Sequence, residues 1–129
     1  MSWHVKFGNY INAALRRLGL RPGHRINTNV PFSFAGYVAQ PRTLTLACDD
    51  EEPIRLSPKE FALIRHFASH PGEVVFRELL LSMYWGVEHG GSTRTLDQHL
   101  LVLRKKLGAA GDCLVTIPRA GYRYDPPDK

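Results

Sequence analysis

The sequence predicts an α+β domain in which short antiparallel strands come first, three helices follow, and a β-hairpin closes the chain. Three observations carry that expectation. Residues 32–56 hold β-rich pieces separated by turns, residues 57–107 hold three stretches of helical periodicity, and residues 114–124 hold two short strands around a turn. At 129 residues the chain is long enough for one domain with a real core plus a modest extension. The division expected is an amphipathic helix and linker over 1–30 and the domain itself over 31–129.

Within residues 7–20, FGNYINAALRRLGL, the residues Phe7, Ile11, Ala14, Leu15 and Leu18 share one helical face, and Arg16 and Arg17 lie off it. RPGHRINTNVP follows, dense in Pro, Gly and Asn, and reads as a linker. Next come the strand pieces FSFAGYVA, TLTLAC and IRL, in which the alternation of Leu44, Leu46 and Cys48 predicts half-buried antiparallel strands. The acidic run Asp49–Glu52 lacks the spaced Asp/Asn–Gly pattern of a calcium loop and reads as a solvated turn.

LSPKEFALIRHFASHPGEVV is the clearest local pattern. Ser57 and Glu60 form an S-x-x-E capping box, and Pro58 stands at the first helical position, where its missing N–H costs nothing. Leu56 and Phe61 are placed for a hydrophobic staple, Phe61, Ile64, Phe67 and Ala68 make the inward stripe, and Pro71-Gly72 stops the helix. His66 and His70 stand four apart, a metal-ligand spacing, but no Glu and third ligand accompany them, so no metal site is expected. FRELLLSMYWG predicts a shorter second helix with a poor cap at Phe76. The loop GVEHGGS leads to the third helix, capped by Ser92 or Thr93. CLVTIPRAGYRYDPP predicts the terminal hairpin, with strands Leu114–Ile117 and Tyr122–Tyr124 around Pro118-Arg119-Ala120-Gly121.

The third helix, STRTLDQHLLVLRKKL, carries an unusual outer face. Leu96, Leu100, Leu103 and Leu107 fall within about 40° of one another at roughly 100° per residue and form a core stripe. The opposite face mixes Arg94, Gln98, Leu101, Val102 and Lys105. Charge is unevenly placed as well. Residues 1–30 hold five basic groups and no acid, residues 31–90 sum to −3, and residues 91–124 to +4. Basic ends on an acidic body suggest a polyanion partner. Strands, three helices and a hairpin in that order describe a winged helix-turn-helix, with an N-terminal antiparallel β-sheet and the C-terminal hairpin as its wing. In such folds the second helix of the motif enters the major groove, and here that is the odd helix.

Residues 54–124 resemble the effector domain of OmpR/PhoB-type response regulators of bacterial two-component systems. The marks are LSPKEFALI, HPGEVV, LL…WG, RTLDQHLLVLRKKL and TIPRAGYRY, in that order and spacing. Residues 7–20 are similar in pattern to the last helix of a receiver domain, whose phospho-accepting Asp is absent from this sequence. The resemblance implies a sequence-specific DNA-binding transcriptional regulator. It places Trp85, Arg94, Thr95, Thr116 and Tyr122 at backbone-binding positions, Asp97 in a structural role near a helix N-terminus, and Gly121 at the tight return of the wing. Gln98, Leu101, Val102 and Lys105 fall where bases are read, and Arg119 supplies the wing's basic group. Gln98 can pair two-pronged with adenine, and aliphatic side chains can contact a thymine methyl. It also implies tandem or dimeric binding on repeated half-sites, an RNA polymerase contact through the loop Gly86–Gly91, and a cytoplasmic setting.

The chain departs from the family pattern at Leu101 and Val102, where many members carry Arg or another polar residue, and at Pro118, which displaces the wing's basic residue to Arg119. Three readings of Leu101 and Val102 stay open: contact with thymine methyls, cover by a second copy or regulatory protein, or plain exposure. The alternative function is therefore a winged-helix protein-interaction module with weak or no DNA binding. Catalysis is not expected, because no nucleophile–base pairing and no phosphate-cradling Gly-rich loop occur. No cofactor is expected either. The two cysteines, Cys48 and Cys113, read as buried thiols rather than a zinc or disulfide pair. No apolar run reaches the roughly 18 residues that span a bilayer.

Overall fold

A computed structural model describes residues 29–86 and 94–127. The helix predicted over 7–20, its linker, residues 87–91 of the Gly86–Gly91 loop and the Ser92 or Thr93 cap lie outside the described residues. Seven strands and three α-helices make up the described chain. They are β1 (Phe32–Phe34), β2 (Tyr37–Gln40), β3 (Thr45–Ala47), β4 (Ile54–Arg55), α1 (Pro58–Ser69), β5 (Val74–Phe76), α2 (Arg77–Tyr84), α3 (Arg94–Leu107), β6 (Leu114–Ile117) and β7 (Gly121–Tyr124). A 3₁₀ turn over Gly108–Cys113 joins α3 to β6.

The first four strands form an antiparallel sheet in sequential order. The piece FSFAGYVA is two strands, folded at Ala35 and Gly36, both at positive φ, with Phe34 paired to Tyr37. Two consecutive positive φ values give a two-residue turn the twist that antiparallel strands need. The expected alternation of Leu44, Leu46 and Cys48 is corrected. Leu46 is fully buried, but Leu44 precedes β3 at a φ of 55° and Cys48 is exposed. Cys113 is only half-buried, so neither thiol is sealed as expected. Their exposure depends on the strand ends they occupy, which composition does not reveal.

The cap of α1 is as the residues dictate. The Ser57 hydroxyl accepts from the Glu60 N–H at 3.1 Å, and the Glu60 carboxylate accepts from the Ser57 N–H at 2.7 Å. The inward face is wider than expected, because Leu63 is fully buried beside Phe61, Ile64 and Phe67. No side chain caps α2 at Phe76. Its start is held differently, because the residues before it are a strand. β5 pairs with β7, so the wing is a three-stranded sheet of order β5-β7-β6 rather than a hairpin alone. The four leucines of α3 are buried as the periodicity requires, each contributing about 1.5–3 kcal/mol. Tyr124 ties the two sheets together. Its ring stacks on Phe34 at 4.5 Å, and its hydroxyl accepts from the Ala35 N–H at 2.7 Å.

One buried polar group sets the acid limit of this core. The His66 ring is 4% exposed, stands 3.1 Å from the Tyr84 hydroxyl through Nδ1, and stacks on His70 at 4.7 Å. Burial, and secondarily His70, depress its pKa to about 4, whereas an unfolded histidine titrates near 6.5. The unfolded chain therefore takes up this proton first as pH falls, so stability held above pH 6.5 is lost progressively down to pH 4. Urea unfolding should show a loss of about 2 kcal/mol between pH 7 and pH 5 from this group. In His66→Phe that loss should vanish; an undiminished loss would assign it elsewhere.

Candidate nucleic-acid interface

The outer face of α3 is built by the same periodicity that buries its leucines. With Leu96, Leu100 and Leu103 inward, Arg94, Gln98, Leu101, Val102 and Lys105 are all exposed. Leu101 is 51% and Val102 46% exposed, so two aliphatic side chains stand side by side among polar ones. Thr95 is half-buried and lines a shallow open groove with Gln98, His99 and Val102 against Ser57 and Glu60 of the first turn of α1.

Trp85, at the C-cap of α2, forms the next part of the surface. Its indole meets the His99 ring edge-to-face at 5.0 Å, and the Lys59 ammonium lies 4.5 Å over the indole. His99 accordingly brings together Trp85 and Thr95, two residues to which the resemblance assigns contacts with the DNA backbone. Its Nδ1 is 2.9 Å from the Thr95 carbonyl oxygen. A carbonyl only accepts, so Nδ1 carries the proton and Nε2 is left for another partner. Sequence reasoning missed Lys59 and His99. The only clue was that His99 stands four residues after Thr95 on one helix, which places its ring over that carbonyl.

The wing is locked to α3 by a charged network. Arg104 donates to the Leu114 carbonyl from Nε at 2.9 Å and from a terminal nitrogen at 2.6 Å, and to the Thr116 hydroxyl at 2.7 Å. Thr116 is exposed and pairs across the hairpin with Tyr122. Tyr122 is only 3% exposed, and its hydroxyl donates to the Asp97 carboxylate. Arg77 donates to the same carboxylate at 3.1 Å. The Arg77 and Arg104 guanidinium groups lie 5.0 and 5.3 Å from the Tyr122 ring centre. Burial, and then the Asp97 carboxylate, push the Tyr122 hydroxyl up to about 12. Asp97 thus binds α2 and the wing to α3 through its side chain, a role its helix-terminal position alone did not indicate.

This bonding sorts the basic residues of 91–124. Arg104 is committed to the wing, Lys106 pairs with Glu60 at 2.7 Å, and Arg123 pairs with Asp125 at 2.8 Å. Burial raises the Glu60 carboxyl, but Lys106 and the Ser57 N–H outweigh it and hold it below its ordinary value. Among the described residues, no ion pair is formed by Arg94, Lys105 or Arg119. Arg94 and Lys105 mark the two ends of the outer face of α3. Arg119 is exposed in the wing turn at a φ of 65°, following Pro118 with the Ala120 N–H donating to Ile117. That is the pattern of a type II turn in which a cation holds the place that glycine usually takes.

Gly121 requires a different reason from the one expected. Its φ is not positive, but a Cβ there would run into the Val75 carbonyl oxygen and lie 3.0 Å from Phe76 Cα. The glycine serves the close approach of β7 to β5, not the return of the turn.

No cluster of three or more His, Cys, Asp or Glu side chains able to hold a metal occurs among the described residues, and no helix among them is long and apolar enough to cross a membrane. Residues 51–124 match the family described as transcriptional regulatory protein, C terminal. The chain is similar to the alkaline phosphatase synthesis transcriptional regulatory protein SphR of Synechococcus elongatus, with 35% identity over 114 residues covering 86% of this chain and 43% of that protein. It is also similar to the phosphate regulon transcriptional regulatory protein PhoB of Escherichia coli, with 42% identity over 76 residues covering 57% of this chain and 33% of PhoB. The chain thus spans less than half the length of either relative. Among solved structures, the DNA-binding domain of Bacillus subtilis CssR aligns with a TM-score of 0.61 at 29% identity, covering 68% of this chain and 98% of that one. The Klebsiella pneumoniae RstA DNA-binding domain, in complex with the RstA box, aligns at 0.63 with 27% identity over 74% of this chain and 97% of that one.

Proposed function

Because the chain belongs to the family of C-terminal domains of transcriptional regulatory proteins, we propose that it is a sequence-specific DNA-binding regulator of the two-component response-regulator type. The observation that carries this reading is the exposed face of α3, where Arg94 and Lys105, which form no ion pair among the described residues, flank Gln98, Leu101 and Val102. In this reading α3 lies in the major groove and the wing lies near the minor groove, where Arg119 reaches the backbone. Thr95, Trp85 and Thr116 contact phosphates. Tyr122, held on Asp97, chiefly sets where Thr116 and Arg104 stand. Two copies occupy repeated half-sites, and the Gly86–Gly91 loop meets RNA polymerase.

Base reading rests on Gln98 for adenine and on Leu101 and Val102 for thymine methyls, so the preferred sites are A·T-rich. Lys105, a flexible point charge, adds phosphate attraction more than discrimination. If Arg94, Lys105 and Arg119 each neutralise one phosphate, log affinity falls with log salt at a slope of roughly −2.7.

Selection from a randomised duplex pool at low and near-physiological salt tests this. An A·T-rich repeated motif that survives the higher salt supports the reading. Binding without enrichment, or binding of a protein partner that salt leaves unchanged, supports the interaction-module alternative, which the adjacent exposed Leu101 and Val102 favour. Two variants separate the roles. Arg94→Ala should weaken cognate and random duplexes alike and reduce the salt slope by about 1, whereas Gln98→Ala should relax one base position at about 1–3 kcal/mol. Equal losses on both duplexes for Gln98→Ala would remove Gln98 from base reading.

A further inference from the structure

The outer face of the N-terminal sheet carries a surface that the DNA-binding reading does not use. Alternation along β2 buries Ala39 and turns Val38 outward, 44% exposed. Val38 is paired with Ala47 of β3, and together with Gly36, Gln40, Cys48 and Asp49 these residues line a shallow groove. The groove ends at the β3–β4 turn, where Asp49, Asp50, Glu51 and Glu52 stand in a row, all exposed. None of the four forms an ion pair among the described residues. Four adjacent exposed carboxylates beside an exposed valine are a poor phosphate-facing surface and a good one for a basic, amphipathic segment.

The chain itself contains such a segment. Helical periodicity in the sequence of residues 7–20 would set Phe7, Ile11, Ala14, Leu15 and Leu18 on one face with Arg16 and Arg17 off it, and residues 1–30 hold five basic groups and no acid. We infer that residues 7–20 dock on this groove of their own chain, with the apolar stripe over Val38 and Ala47 and Arg16 and Arg17 against the acidic turn.

Reach permits it. The described chain begins at Asn29, three residues before β1. Neighbouring strands lie about 4.8 Å apart, so β3 stands roughly 10 Å from β1. The eight residues 21–28 can extend to about 28 Å, several times what is needed. A covalent tether of this length also makes a weak contact effective, because the local concentration of the segment is in the millimolar range. The contact is electrostatic at one end and apolar at the other, so it should loosen with salt without vanishing.

Cys48 lies in the groove and is exposed in the described domain, which makes it a reporter. The experiment compares iodoacetamide alkylation of Cys48 in the full chain and in Arg16→Glu/Arg17→Glu, read by peptide mass spectrometry with Cys113 as the internal reference. At low salt Cys48 in the native sequence should react at least fivefold more slowly than in the variant. Adding Glu51→Lys/Glu52→Lys to that variant reverses both charges and should restore the protection. Equal Cys48 rates in the native chain and the variant overturn the inference. So does protection that rises with protein concentration, which assigns the groove to a second copy. An unchanged Cys48 rate with a flatter salt dependence of DNA binding in Arg16→Glu/Arg17→Glu also overturns it and places the segment on phosphates.

Discussion

Gly121→Ala should lower the unfolding free energy by at least about 3 kcal/mol, a large share of the 5–15 kcal/mol that holds a domain of this kind. β7 is the central strand of the wing sheet, with Gly121 paired to Phe76 on one side and to Ile117 on the other. The methyl group would overlap the Val75 carbonyl oxygen and crowd Arg77 N and Phe76 Cα, each 3.0 Å away. All three are backbone atoms, and backbone cannot rotate aside as a side chain can. Relief requires β5 and β7 to part, which breaks their ladder and the Arg77 N–H bond to the Ala120 carbonyl. Gly36→Ala is the matched control. Nothing lies within 4 Å of that position, so only its positive φ opposes a side chain, at about 1–2 kcal/mol. Urea midpoints with unchanged m-values would measure both. If Gly121→Ala costs no more than Gly36→Ala, the close approach of β7 to β5 is not what the glycine serves.

Asp97→Ala comes next in expected effect. It strips the acceptor from the buried Tyr122 hydroxyl and from Arg77 at once. A buried hydroxyl left without a partner costs about 1–3 kcal/mol. The Arg77 pair adds little, because the Asp97 side chain is 43% exposed and solvent screens it. Tyr122→Phe removes only the donor and should cost about 1 kcal/mol. In the double variant the losses should fall short of their sum by at least 0.5 kcal/mol, because both remove one bond. Additive losses would show that the Tyr122–Asp97 bond contributes nothing. DNA binding should weaken in Asp97→Ala even where the domain is fully folded, because Tyr122 anchors the wing on which Thr116 stands and to which Arg104 of α3 is bonded.

Local chemistry was readable from the residues and long-range chemistry was not. The capping box at Ser57 and Glu60, the leucine stripe of α3 and the poor cap at Phe76 all depend on residues within four positions of one another. β5 was invisible because Val74–Phe76 is a strand only by virtue of β7, some 45 residues later. The same limit hid the side-chain partners. Arg94 and Arg104 look alike in the sequence, yet one is exposed and forms no ion pair among the described residues while the other is bound to Leu114 and Thr116. Charge counting therefore located the basic region but overstated how much of it faces outward. The thiols went wrong for a related reason, since Cys48 sits just past the end of β3. The resemblance of five motifs assigned candidate contact residues by position, but only the fold shows that Tyr122 is buried and that Lys59 and His99 stand beside Trp85.

Tyr124 bonds and stacks against Ala35 and Phe34, 89 and 90 positions earlier, and β7 is the strand on which both β5 and β6 depend. The first sheet and α1 can form as soon as they are synthesised, since their contacts are near in sequence. The wing, and the clasp between the sheets, must wait for the last strand. A chain still emerging from the ribosome therefore carries an unfinished core until residue 124 is free of the tunnel. Closing such distant contacts makes folding slower than the helical content alone would suggest. Proteolysis that trims Tyr122–Tyr124 should accordingly release the whole domain and not merely its final hairpin.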